Sequence, residues 1–178
     1  MKTIIVDNSS KITENKTKLE KMLNLKIIPK GNEIIIEGNA EDEYIGEMII
    51  DALNFGFPLS SAFLIKTEDF MFETLSIKNY THRKDLDRIR ARIIGSSGRT
   101  FRTLSELTEC FFQIKNNEVG IIGSPELIKN AHDAVVSIIQ GSKQANVYAF
   151  LEKHKAQPIL DLGLKEQKKK KSTKKVKE

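Results

Sequence analysis

One cysteine stands among the 178 residues, so Cys110 can close no internal disulfide and cannot by itself build a zinc site. A small buried thiol is the expected role for it, rather than a nucleophile. Histidine is as scarce: His82, His132 and His154 are far apart in sequence and lack paired metal-ligand spacing. No GxSxG elbow is present, and no glycine-rich stretch carries the lysine of a P-loop. The chain is therefore expected to be no enzyme, with no metal and no cofactor. Long apolar runs are missing as well, and Met1 leads into a short strand-like run rather than a signal peptide. These absences predict a soluble, monomeric, cytoplasmic protein without a membrane partner.

What is present is charge, unevenly placed. The formal net charge of +5 is carried by the end of the chain: residues 165–178 hold eight lysines against two glutamates, and the rest is close to neutral. Residues 31–76 contain ten acids against Lys66 alone. All six arginines, by contrast, fall between Arg83 and Arg102. The planar guanidinium suits phosphate recognition, and Asp85 and Asp87 can neutralise only two of the six, so this window reads as an anion-binding surface.

Compared with itself, the chain matches at an offset of 85 residues: Leu19 with Leu104, Ile36 with Ile121, Gly38 with Gly123 and Gly56 with Gly141. Coincident glycines at element boundaries point to a duplicated unit. In the second copy, residues 72–78 have the length of a strand, and 85–94 place Leu86, Ile89 and Ile93 on one helical face. Gly95 to Gly98 interrupt that helix, and helical spacing resumes through Phe101, Leu104 and Leu107. Residues 110–114 and 118–122 read as strands around an asparagine-rich turn. Ser124-Pro125-Glu126 starts a helix, by a capping hydroxyl, a first-turn proline and an acid at the positive dipole end; Gly141 stops it. A last helix is expected over 144–155.

The order strand, helix, GxxG, helix, strand, strand, helix is that of the eukaryotic-type KH fold. IIGSSGRTF resembles the KH signature, an aliphatic pair before GxxG and an apolar residue, Phe101, after it. More narrowly, RIRARIIGSSGRTFRTLSELT, VGIIGSPELIKNAHDAVVSII and VYAFLEKHK resemble the archaeal members of the Krr and Partner-of-Nob family of tandem-KH small-subunit assembly factors. The expected class is α+β: two type I KH units in tandem, a degenerate one over 1–66 without its GxxG loop and a complete one over 67–155, then a disordered basic tail over 156–178. The resemblance implies binding of single-stranded RNA near the 3′ end of small-subunit rRNA. It also implies a Nob-type endonuclease and the alpha subunit of initiation factor two as partners.

A KH loop needs glycines because its backbone lies against the sugar-phosphate chain. Gly95, Ser96, Ser97 and Gly98 are the expected contact, with Arg88, Arg92, Arg99 and Arg102 adding charge and the first amides of the following helix adding dipole. Ile94, Phe101 and Phe112 are expected to line a groove for about four unstacked bases. Family members usually carry lysine or arginine where Ser96 and Ser97 stand, which predicts a weaker phosphate grip here.

In the first copy Ser10 and Thr13 replace the two glycines, and too few residues follow the strand 3–6 for a helix ahead of them. That half is expected to pack against the second and to dock protein, or to be a repeat kept for stability. The tail reads equally as an electrostatic contact to rRNA and as a solubilising end. Two other function classes stay open: a protein-protein adaptor with weak RNA binding, and a general binder of single-stranded nucleic acid or mRNA.

Overall fold

The computed structural model of the chain describes residues 1–7 and 9–154, so the lysine-rich tail lies outside the described residues. Runs of isoleucine build the first sheet. Strand β1 (Lys2–Ile5) pairs antiparallel with β3 (Glu33–Glu37), setting Ile4 opposite Ile34, and β2 (Lys26–Lys30) pairs with the other edge of β3. Ile4 is buried while its neighbour Ile5 is 76% exposed, as strand alternation requires. Between β1 and β2 run α1 (Ser10–Glu14) and α2 (Lys16–Leu23); α3 (Ala40–Phe55) and α4 (Leu59–Thr67) follow β3.

The second half repeats the plan. Strand β4 (Met71–Ser76) leads through a short 3-10 turn at Ile77–Tyr80 to α5 (Leu86–Ile94), a second 3-10 turn at Ser96–Gly98, and α6 (Arg99–Thr108). Then come β5 (Phe111–Lys115), β6 (Glu118–Gly123), α7 (Pro125–Gln140) and α8 (Gln144–His154). The sheet orders are β1-β3-β2 and β4-β6-β5, each with its last strand in the middle. The 85-residue offset holds in three dimensions: β2 onto β5, β3 onto β6, and α3 onto α7. Both long helices end on a glycine in the left-handed region, Gly56 at φ 119° and Gly141 at φ 106°, where an L side chain would be strained.

Three local expectations change. The strand expected through residue 78 stops at Ser76: Ile77, its amide still on the Asn117 carbonyl (2.8 Å) and its side chain fully in the core, opens a 3-10 turn instead. A helix does form ahead of α2 in the first half: α1 is five residues long, anchored by Ile12 at 1% exposure, and packs on α3 as α5 packs on α7. Ser124 precedes α7 with extended backbone, but its hydroxyl caps nothing; proline at the first helical position and Glu126 in the first turn mark that start instead.

The two halves share packing. Phe55 and Phe57, at the end of α3, meet Phe72 of β4 edge-on with ring centroids 5.9 and 5.8 Å apart. Gly120 of β6 lies beneath the first two rings, each 2.8 Å from where a Cβ would stand. Ile122 of β6 is buried in the core of the first half, and the Lys115 ammonium donates to Asp7 and to the Asn54 carbonyl.

Candidate nucleic-acid interface

The GxxG loop occupies a corner between α5 and α6 that only unusual backbone angles can make. Gly95 sits at φ 75°, Ser97 at 54° and Gly98 at 75°, so three of four residues are in the left-handed region. The Gly95 amide closes α5 on the Ala91 carbonyl (2.8 Å), and the Gly98 amide returns to the Gly95 carbonyl (3.1 Å). Beyond this corner the Arg99 amide turns back to the Ser96 carbonyl, and the positive end of the α6 dipole stands at the loop.

The two glycines have different reasons to be glycine. A Cβ on Gly95 would stand 2.2 Å from the Thr100 hydroxyl oxygen and 2.7 Å from its backbone nitrogen, so the chain itself fills that side. A Cβ on Gly98 would meet nothing within 4 Å. Gly95 is thus held to glycine by internal packing, and open space is found at Gly98.

Sequence reasoning missed what holds the corner. Thr100 is 3% exposed, and the Gln144 side-chain amide at the start of α8 donates to its hydroxyl (2.8 Å) and to the Arg92 carbonyl (3.0 Å). One side chain thus ties the last turn of α5 to the first turn of α6. Glutamine on an amphipathic helix carries no signal of such a role.

The five arginines from Arg88 onward divide into three groups. Arg88, Arg99 and Arg102 are exposed and form no ion pair among the described residues. Arg90 is held by Asp87 and donates to the Asn116 carbonyl (2.8 Å), bracing α5 against the β5–β6 turn. Arg92 reaches the other way, donating to the Ser142 carbonyl (2.8 Å) at the turn between α7 and α8. Ser96 and Ser97 are exposed at the tip of the loop. Ile94 is 37% exposed beside it, while Ile89 and Leu104 are core. Phe101 and Phe112 are half-buried and stack on each other, 5.9 Å between centroids and 29° apart in plane, which joins α6 to β5 through an aromatic pair.

Other titratable groups lie elsewhere. Cys110 is buried with its thiol donating to the Thr108 carbonyl (3.3 Å), and burial pushes its pKa up to about 11. His132 bonds the Tyr80 hydroxyl (3.1 Å) and Glu73 (2.9 Å), a link between α7 and β4 away from the loop. Among the described residues no cluster of His, Cys, Asp and Glu could hold a metal ion, and no helix is long and apolar enough to cross a membrane.

Comparison with known proteins bears on this geometry. Residues 71–156 match the model of the eukaryotic type KH-domain, KH-domain type I. The chain is 28% identical over 108 residues to a KH domain-containing protein of Methanocaldococcus jannaschii, covering 60% of this chain and 48% of that one. It is 32% identical over 109 residues to the pre-rRNA-processing protein PNO1 of Eremothecium gossypii, covering 60% and 41%. The chain spans about half the length of the curated relatives it matches. In structure it is similar to Dim2p from Pyrococcus horikoshii, with a TM-score of 0.78 at 25% identity over 85% of this chain and 98% of that one. A chain of an a/eIF2alpha-aDim2p-rRNA complex from the same archaeon also superimposes at 0.78, with 25% identity over 86% and 93%.

Proposed function

We propose, from the premise that residues 71–156 are a KH domain of the eukaryotic type, that the chain binds single-stranded RNA and acts without catalysis in maturing the small ribosomal subunit. The observation that carries this reading is Gly98. It stands at φ 75° with empty space where a side chain would be, at the start of α6 and beside Arg99 and Arg102, which form no ion pair among the described residues. Backbone can approach backbone there, and charge stands ready for phosphate. Gly95, Ser96, Ser97 and Gly98 would follow the sugar-phosphate chain with Arg88, Arg99 and Arg102, while Ile94, Phe101 and Phe112 would meet the bases. Arg92 would act from the α7–α8 side.

The named relatives support the RNA: one is a pre-rRNA-processing protein, another was solved with rRNA and a/eIF2alpha. We infer the 3′ end of small-subunit rRNA as target, the alpha subunit of initiation factor two and a Nob-type endonuclease as partners, and a monomer in the cytoplasm. The shared strand order and offset support reading residues 1–66 as a degenerate KH unit, 67–155 as the complete one, and 156–178 as a basic tail. A protein-adaptor reading draws on one feature of the first half, an apolar hollow at Tyr44, Met48 and Phe70 rimmed by Glu41 and Asp69.

The test is binding of a short RNA from the small-subunit 3′ end to the wild type and to Gly98→Asp, at low and high salt. The added carboxylate has room inside the protein, so the variant should fold and lose affinity by about tenfold or more, as repulsion replaces a phosphate contact. Equal binding by both, abolished by salt, would place the contact in the lysine tail and favour the adaptor.

A further inference from the structure

A second cationic surface lies at the turn where α7 hands over to α8. Helix α7 ends in carbonyls, the negative end of its dipole, which alone would repel a nucleic acid. Arg92 covers that end by donating to the Ser142 carbonyl, and Arg83 brings its guanidinium to within 3.7 Å of a side-chain position on Gly141. Lys143 is exposed in the same turn. Three cations thus stand on the side of α5 away from the Asn116 contact.

Beside the turn is a hollow of about 160 Å³ lined by Ser137, Ser142, Asn146, Val147 and Phe150. That is below the range of small-molecule sites and suits one planar ring. Phe150 is 39% exposed, and its outer position is fixed by His154, whose ring lies 4.1 Å away, centroid to centroid, at 33°. An aromatic ring held in water at the mouth of a hollow costs hydration and offers a stacking face. The Asn146 side chain is exposed and makes no hydrogen bond among the described residues, leaving both donor and acceptor of its amide for a partner. Asparagine matches the paired donor and acceptor on the edge of adenine.

The hollow is also tied to the GxxG loop. Gln144, which braces Thr100 against Gly95, is in the same first turn of α8 as Asn146. We propose that this hollow receives one further base of the bound RNA, outside the stretch gripped by the loop, stacked on Phe150 and read at its edge by Asn146. This rests on the RNA-binding reading above.

The test uses the full chain at a salt concentration high enough to suppress the lysine tail. Fluorescence anisotropy would compare an unmodified tetranucleotide and octanucleotide from the small-subunit 3′ end, and a separate quenching measurement would use the longer one with 2-aminopurine at each position in turn, as a probe of stacking alone. Wild type should bind the octanucleotide better by about fivefold or more, the worth of one stacked base, with one 2-aminopurine position quenched. Phe150→Leu, which keeps apolar bulk, and Asn146→Ala should bind the tetranucleotide as wild type does and lose the length advantage; Phe150→Leu should also lose the quenching. If Gly98→Asp abolishes binding while both hollow variants keep the full advantage, this proposal fails and the RNA-binding reading stands. If wild type binds neither oligonucleotide, both fail together.

Discussion

At the scale of single residues, the glycine pair shows why a motif is more than its letters. Gly95 and Gly98 are equivalent in the pattern GxxG, yet one is held by Thr100 and the other faces open space. Gly95→Ala should therefore unfold the protein more easily by about 1–3 kcal/mol, the cost of overpacking, in addition to left-handed strain. Gly98→Ala should cost only the strain, about 1 kcal/mol. Urea denaturation of the two variants checks the order; equal losses would contradict the packing at Thr100. The sequence makes the loop visible through its place between two amphipathic helices. It does not distinguish the two glycines, because Thr100 reads as one more helical residue until α5 and α6 are folded together. Ser96 and Ser97, short and exposed, leave the charge to Arg99 and Arg102 on the next helix.

At the scale of elements, what was legible is what local pattern determines. The β5–β6 hairpin and α7 fall within a residue of where alternation, the asparagine turn, Pro125 and Gly141 put them. The 3-10 turn at Ile77–Tyr80 was hidden because an inward isoleucine reads as a strand residue whether the chain stays extended or turns. Helix α1 was hidden because an ungapped self-comparison sets its residues against the loop rather than against α5. The brace at Gln144 joins three elements and has no local signature. Gln144→Ala should lower stability by about 1–3 kcal/mol, since the Thr100 hydroxyl remains buried without its donor. Hydrogen exchange should quicken across residues 93–101. Unchanged exchange there would mean that the loop holds its shape without α8.

At the scale of the whole molecule, the repeat offset and the packing of one copy on the other were legible in the sequence, and the residues that make the contact were not. No periodicity in either copy reports that Phe55 and Phe57 will lie on Gly120, because each stretch looks like an ordinary end of helix or strand. The consequence is measurable. Gly120→Ala inserts a methyl group at 2.8 Å from both rings and should cost about 1–3 kcal/mol. Because Ile122 belongs to the core of the first half, wild type should unfold in one cooperative urea transition. Two separate transitions in wild type would show the halves to be energetically independent.

The seat of Phe55 and Phe57 on Gly120 also turns the molecule into a measuring jig. A flexible tether between two binding units sets only how far apart their cargoes can stray. Aromatic rings packed on a bare strand set a bearing as well as a distance. Whatever rests on the acidic first half is then presented at one angle to the GxxG loop, so the first half contributes geometry to the second.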